Sequence, residues 1–229
     1  MNAEVTTESR VLSAADALFY EHGVQAVGMD RIRDASGVSL KRIYQCFPSK
    51  GALVEAYLRR RDRWARTALE EHVARFVDPG DRVLAVFDWL YDWFDGPDFH
   101  GCAFINAFGE LGADSHAVAE AVRDHKSAVR TYLRDLTHET GAEEPDWLAD
   151  QLAVLLDGAM STASITDSPA PARHARTAAK TLMSAATRQE TPPGPAEART
   201  PPPRSAPPAQ RTRPAPPVSS ARDDASPRA

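Results

Sequence analysis

The chain has 229 residues, 42% of them hydrophobic, and a net charge of −5, which suffices for the core of one large or two modest domains. Its two cysteines, Cys46 and Cys102, are too few for a disulfide framework or a thiolate metal site. The opening MNAEVTTESR carries two glutamates where a secretory signal would be basic and then apolar, and no run approaches the roughly 18 apolar residues of a membrane span. A soluble, cytoplasmic protein with no membrane partner is therefore expected.

In chain order, TESRVLSAADALFYEHG places Val11, Leu12, Ala15, Leu18 and Phe19 on one helical face, with Gly23 positioned to end the helix in the left-handed conformation. A short second helix is predicted from Met29 to Ser36. After Gly37 and Val38, Ser39 offers an N-cap for a third from Leu40 to Phe47. Pro48 stops that helix, and Ser49 caps a long fourth whose stripe is Leu53, Val54, Tyr57, Leu58, Trp64, Ala65, Ala68 and Leu69. Past the Asp78-Pro79-Gly80 break, DRVLAVFDWLYDWF reads as a fifth helix with Val83, Val86, Phe87, Leu90, Tyr91 and Phe94 inside.

GCAFINAFGELG is apolar enough for a mostly buried sixth helix, and SHAVAEAVRDHKSAVRTYLRDLTHET forms a long amphipathic seventh. Two more follow, near Asp146 to Ile165 and Ala170 to Ala186. No segment alternates as a strand would and no repeat is visible, so the fold class is all-α, with about nine helices. The last forty residues hold 12 of the 18 prolines and no aromatic residue, so they are expected to stay disordered. The expected organisation is a three-helix helix-turn-helix domain over 1–50, a larger helical domain over 51–189, and a Pro-rich tail over 190–229.

Charge is segregated along this plan. Residues 1–66 carry 11 Lys+Arg against 8 Asp+Glu, a net +3; residues 67–189 carry 10 against 20, a net −10; the tail is +2. Phosphate would repel the acidic segment, which is therefore expected to face away from any nucleic acid that the basic segment touches.

Within the basic segment lies GVSLKRIYQCFPSK, Gly37 to Lys50. Two short helices joined by a glycine-containing turn, the second with polar residues outward, is the helix-turn-helix arrangement. Ile43 and Phe47, four apart, share a face and should pack on Ile32, Val38 and Leu18. Leu40, Lys41, Arg42 and Gln45 lie on or near the other side, where a groove-docked helix meets base edges. Lys or Arg suits the guanine acceptors and Gln the adenine edge.

With its support helix, the GVS turn, Tyr44 before Pro48, and PSK opening a long helix, the sequence from Glu8 to Leu53 resembles the TetR family of transcriptional regulators. The resemblance implies phosphate contacts from Tyr44 and Lys50 and a double-stranded DNA operator as partner. Three positions depart from the family pattern. Gly28 stands where a Thr or Ser usually caps the second helix, Arg33 where an alanine usually packs, and Gly51 where an acidic residue usually opens the fourth helix. Arg59, Arg60, Arg61, Arg63 and Arg66 either add positive potential toward DNA or serve solvent and helix contacts.

The acidic domain concentrates Trp89, Tyr91, Trp93, Phe94, Phe99, Phe104, Phe108 and Tyr132, interleaved with Asn106, Glu110, His125 and Asp157. Any one aromatic is an ordinary core side chain. The group, with its few polar atoms, also fits the wall of a small-molecule pocket. The resemblance implies such a pocket, for which Trp89, Trp93, Phe104, Asn106, Phe108, His125 and Asp157 are the candidates. His125 alone reads as a structural histidine, and Cys102 as a small core residue at a helix start.

The last two helices carry apolar faces with Leu148, Leu152, Leu155, Leu156 and Ala159 on one and Ala175, Ala178, Ala179, Leu182 and Met183 on the other. These either pack within the chain or, as the resemblance implies, form a homodimer interface through the last two helices. The resemblance implies a repressor that binds a palindromic operator and is released by a small-molecule inducer. The alternative is an all-α small-molecule-binding protein or enzyme that retains this shape. No nucleophile elbow, zinc-helix, phosphate-loop or paired-carboxylate pattern is present, so no cofactor, metal or catalytic residue is expected.

Overall fold

The computed structural model describes residues 6–187, and the Pro-rich tail over 190–229 lies outside the described residues. Nine α-helices and no strand occur among them: α1 Thr7–His22, α2 Met29–Ser36, α3 Leu40–Cys46, α4 Lys50–Val73, α5 Pro79–Phe94, α6 Ala103–Leu111, α7 His116–Glu139, α8 Pro145–Thr166 and α9 Ala170–Ala186. None is long and apolar enough to cross a membrane.

Local chemistry sets most of the boundaries. Thr6 and Ser49 cap α1 and α4, their hydroxyls accepting the amides of Ser9 and Ala52 at 3.1 Å. The Asp78-Pro79-Gly80 sequence, expected as a break, is the start of α5. The Asp78 carboxylate accepts the Asp81 amide at 2.9 Å, and Pro79 occupies the first turn, where its missing N–H costs nothing. Ser39 stands at the N-cap of α3 but its side chain makes no capping bond, and Gly28 at the N-cap of α2 has none to make. Gly23 ends α1 with φ 86° and ψ 155°, outside the left-handed helical region expected for it; its amide still closes on the Phe19 carbonyl.

The small lobe is α1 with α2 and α3 packed on it. Val11, Ala15, Phe19, Ile32, Val38, Ile43 and Phe47 belong to its buried cluster, and Leu12 and Leu18 are half-buried at its margin. Gly37 takes the left-handed conformation at φ 64° in the turn between α2 and α3. The Arg10 guanidinium donates to the Ser36 carbonyl beside it at 2.8 Å. The 24-residue α4, about 36 Å long, packs on α1 and on α5, α6 and α7. Behind it α8 packs on α7 and α9, and α5 on α9.

Three expected burials change. Trp64, placed on the inner stripe of α4, is 52% exposed and meets Trp93 edge-on at 6.1 Å. Only one side of α6 packs inward: Ala103, Phe104 and Ala107 are buried, while Ile105 and Phe108 face solvent. Tyr91 is half-buried beneath the Arg173 guanidinium, 4.1 Å from the ring centre. On α8, Leu148, Leu152, Leu156 and Ala159 are buried within the chain. The apolar side chains left outward are Trp147, Val154 and Ile165, at 60, 72 and 84% exposure.

Candidate nucleic-acid interface and ligand cavity

The third helix divides cleanly between two sides. Ile43 is fully buried and Phe47 nearly so, clamping α3 against α1 and α2. Lys41, Arg42, Tyr44 and Gln45 are exposed, and no hydrogen bond or ion pair engages them among the described residues. Leu40, expected among the outward residues, is instead half-buried against the core, because an apolar side chain at that position gains more from contact with the core than from water.

Lys50, expected to contact phosphate, has a partner within the chain. Its ammonium donates to the Gln25 carbonyl at 3.3 Å, and burial lowers its pKa against the opposing pull of Glu110. It joins the start of α4 to the turn between α1 and α2. Arg33 is likewise committed, to Asp30 at 2.7 Å and Asp34 at 2.8 Å.

Four of the five arginines of α4 are taken within the chain. Arg59 pairs with Asp124 at 2.6 Å, Arg60 donates to the Ser13 hydroxyl, Arg61 pairs with Asp16 at 2.8 Å, and Arg66 forks onto Asp62. They serve helix contacts. Arg61 also lies over the Tyr20 ring, 3.5 Å from its centre, so one guanidinium joins α4 to α1 twice.

Between α4, α5, α6, α7 and α8 lies a cavity of about 40 Å³. Trp89, Trp93, Phe104 and His125 line it, as expected. Asn106, Phe108 and Asp157 do not. Asn106 donates to the His100 carbonyl at 3.2 Å, Phe108 faces solvent, and Asp157 accepts the Lys126 ammonium. Glu110, another expected polar contact, caps the α1–α2 turn, where its carboxylate accepts the amides of Val24 at 3.3 Å and Gln25 at 2.7 Å. Sequence reasoning missed Trp64, Arg61, Arg66, Cys102 and Met160 in the wall. The arginines were legible only as a basic run, although their aliphatic stems commonly cover apolar surface. Cys102 is a buried residue at the start of α6, as its position suggested, and its sulfur accepts the Ile105 amide at 3.5 Å.

The polar centre of the wall is His125. Its ring stacks on Phe104 with centroids 3.5 Å apart and planes 3° from parallel, and its Nδ1 lies 2.8 Å from Asp62 Oδ1. Burial lowers the His125 pKa and outweighs the attraction of Asp62. For Asp62, burial pulls upward, but hydrogen bonds from Arg66 and His125 prevail and hold the carboxyl below its usual range. The ring is therefore neutral at pH 7. With a carboxylate at Nδ1, the proton sits on Nδ1 and Nε2 is left as an acceptor.

A folded-state pKa below the free value of 6.5 means that the unfolded chain takes the proton first as pH falls. His125 therefore costs stability as pH drops below about 6.5, whereas the Asp62 contribution persists until its own lower pKa is reached. The unfolding temperature of the wild type should fall more between pH 7.5 and 5.5 than that of His125→Phe, which retains the ring stack. Equal slopes in the two proteins would remove this account.

An exposed polar helix held by a helix-turn-helix lobe, joined through one long helix to a larger helical body with an internal cavity, defines a two-part, helix-turn-helix class of protein. Comparison with known proteins agrees with that class. The family model described as bacterial regulatory proteins, tetR family, matches residues 11–57, and that of the tetracyclin repressor-like C-terminal domain matches residues 79–179.

Among solved structures, a TetR-family transcriptional regulator from Streptomyces coelicolor is 27% identical with a TM-score of 0.75, covering 80% of this chain and 96% of that one. A protein described as a putative TetR transcriptional regulator from Streptomyces avermitilis is 30% identical with a TM-score of 0.69, covering 80% of this chain and all of that one. Two curated relatives match over shorter stretches. An HTH-type transcriptional regulator of Mycobacterium tuberculosis H37Rv is 35% identical over 75 residues, 33% of this chain and 37% of that protein. The HTH-type transcriptional activator FasR of Mycolicibacterium smegmatis is 31% identical over 86 residues, 38% of this chain and 39% of that protein. The chain thus spans less than two fifths of the length of these curated relatives. The chain belongs to the TetR family of DNA-binding transcriptional regulators.

Proposed function

We propose that this chain is a ligand-responsive repressor that acts in the cytoplasm, binds a palindromic operator as a homodimer, and is released when a small molecule occupies the cavity beside His125. The carrying observation is the outward face of α3. Lys41, Arg42, Tyr44 and Gln45 are exposed and unpaired among the described residues, while Ile43 and Phe47 anchor the helix beneath them. Side chains kept free of internal partners are available to base edges and phosphate.

Trp147, Val154 and Ile165 support the dimer. They lie 7 and 18 residues along α8, close to whole numbers of helical turns, and form one exposed apolar stripe next to α9. Such a stripe meeting its own copy would give the two-fold symmetry that half-sites one helical turn apart require. One tie between cavity and reading lobe is made by Arg61, which lines the cavity and pairs with Asp16 of α1. A ligand that shifts α4 would bias the recognition helices by its differential affinity for the two arrangements.

The test is selection of bound sequences from random duplexes at two salt concentrations, with sedimentation of the complex. A palindromic site and a dimer are expected. Arg42→Ala should weaken the selected site by about 1–3 kcal/mol and relax preference at one position of each half-site. Purely non-specific binding, or an unchanged preferred sequence in the combined Lys41→Ala, Arg42→Ala and Gln45→Ala variant, would remove the assignment of these residues. A reporter carrying the selected site fixes the sign of regulation.

A further inference from the structure

We infer that the cavity takes a planar, uncharged aromatic ligand bearing a single hydrogen-bond donor, a phenolic hydroxyl being the group its one open acceptor fits. This inference rests on the proposed ligand-responsive function and names the chemistry of its effector. The walls supply the first half of the argument. Trp64, Trp89, Trp93 and Phe104 present rings to the cavity, and Leu156 and Met160 close it from α8. Ring walls favour a flat aromatic body through offset and edge contacts.

The polar groups supply the second half, since almost all of them are already committed. Arg61 is held by Asp16 and stacked on Tyr20, Arg66 forks onto Asp62, and the Cys102 sulfur accepts the Ile105 amide. His125 is the exception. The residue is 8% exposed and lines the cavity, its Nδ1 is taken by Asp62, and its Nε2 has no partner among the described residues. Nε2 is not among the sealed, unpartnered atoms, so it stays open to a donor from the cavity, and a ligand that brings one hydroxyl hydrogen fits it.

Other ligand chemistries fit less well. A carboxylate brings only acceptors to Nε2, and to reach a guanidinium it would have to compete with Asp16 or Asp62. A cation would face Arg61 and Arg66 with no unpaired carboxylate to receive it. Entry runs past Trp64, which lines the cavity and is 52% exposed.

Three probes of one ring size test the inference on the full chain: phenol, anisole, whose methyl ether lacks the donor, and benzoate. The readout is the indole N–H signals in nitrogen-edited NMR spectra. The chain has four tryptophans; three line the cavity, and Trp147, exposed on α8, is the internal control. Phenol should shift the three cavity signals and leave Trp147 unmoved. It should bind about 2- to 10-fold more tightly than anisole, the range one net hydrogen bond supplies. His125→Phe, which keeps a ring on Phe104, should bring phenol down to the anisole level and leave anisole unchanged.

Equal binding of phenol and anisole in the wild type would overturn the inference, as would tighter binding of benzoate or no cavity shift at millimolar phenol. The wild-type comparison stands even if His125→Phe does not fold. Operator binding measured on the same samples separates the two levels. Phenol preference without any change in operator occupancy leaves the ligand chemistry standing and removes the inducer role. Operator release by other compounds without phenol preference does the reverse.

Discussion

Replacing Ile43 by alanine should lower the unfolding free energy by about 2–5 kcal/mol and abolish operator binding along with it. Ile43 is fully buried in the centre of the only face by which the seven-residue α3 is attached. Its neighbours in the cluster, Val11, Ile32, Val38 and Phe47, come from α1, α2 and the segments around α3, so the lost side chain leaves a void that no single element can close. A domain stable by about 5–15 kcal/mol would lose a large share of its margin. Lys41→Ala, two residues away on the exposed side, should stay within about 0.5 kcal/mol of wild type in stability while still weakening DNA binding. Denaturant unfolding followed by helical signal measures both. A loss below about 1 kcal/mol for Ile43→Ala would mean that α3 is held by something other than this side chain.

Gly101→Ala should be nearly as costly, about 2–4 kcal/mol, for two reasons that add. The residue has φ +82°, where a side chain strains the backbone by about 1–2 kcal/mol. An added Cβ would also stand 2.6 Å from Ser164 Oγ and 3.0 Å from Ser164 Cβ, an overlap of the kind that costs about 1–3 kcal/mol. Rotating the serine hydroxyl removes only the first contact, because the second is to an atom fixed on α8. The Gly101 carbonyl accepts the Tyr20 hydroxyl at 3.0 Å, and that hydroxyl accepts the His100 amide at 3.2 Å. Displacing this segment therefore also loosens α1 from the approach to α6. Gly28→Ala is the matched control: φ is −83°, nothing lies within 4 Å of the added Cβ, and its stability should change by no more than about 0.5 kcal/mol. Similar losses at both glycines would show that neither the positive φ nor the contact with α8 sets the cost, since the entropy that alanine removes from the unfolded chain acts in the stabilising direction.

The two variants probe different parts of one arrangement. Ile43 holds the reading helix to its lobe. Gly101, with Tyr20, and Glu110, with the amides of Val24 and Gln25, hold that lobe to the two ends of α6, while Arg61 and Asp16 hold it to α4. Phe104 of α6 and Arg61 of α4 both line the cavity, so these ties join two of the helices that wall it to the lobe.

Much of this was legible in the sequence because it is local. The period of the apolar residues placed nine helices, the hydroxyl of Ser49 and the glycine at 37 marked their ends, and the four-residue spacing of Ile43 and Phe47 separated the packing side of α3 from Lys41, Arg42 and Gln45. What failed was pairing across distance. Glu110 and Gln25 are 85 residues apart, and His125 and Asp62 are 63 apart, so nothing in either neighbourhood signals the partner. Asn106, Phe108 and Asp157 have the composition of pocket residues, yet α6 and α8 turn them elsewhere.

The sequence by itself determined the all-helical architecture, the helix-turn-helix lobe and its exposed cationic face, because helical period, capping and turn geometry are settled within a few residues. Only the tertiary structure decided that Lys50 turns to the Gln25 carbonyl, that the arginines of α4 tie helices together, and that His125 meets Asp62 and Phe104 in the wall of a ring-lined cavity. A polar side chain's partner depends on which helix faces cross, and burial then sets the strength of the bond they form.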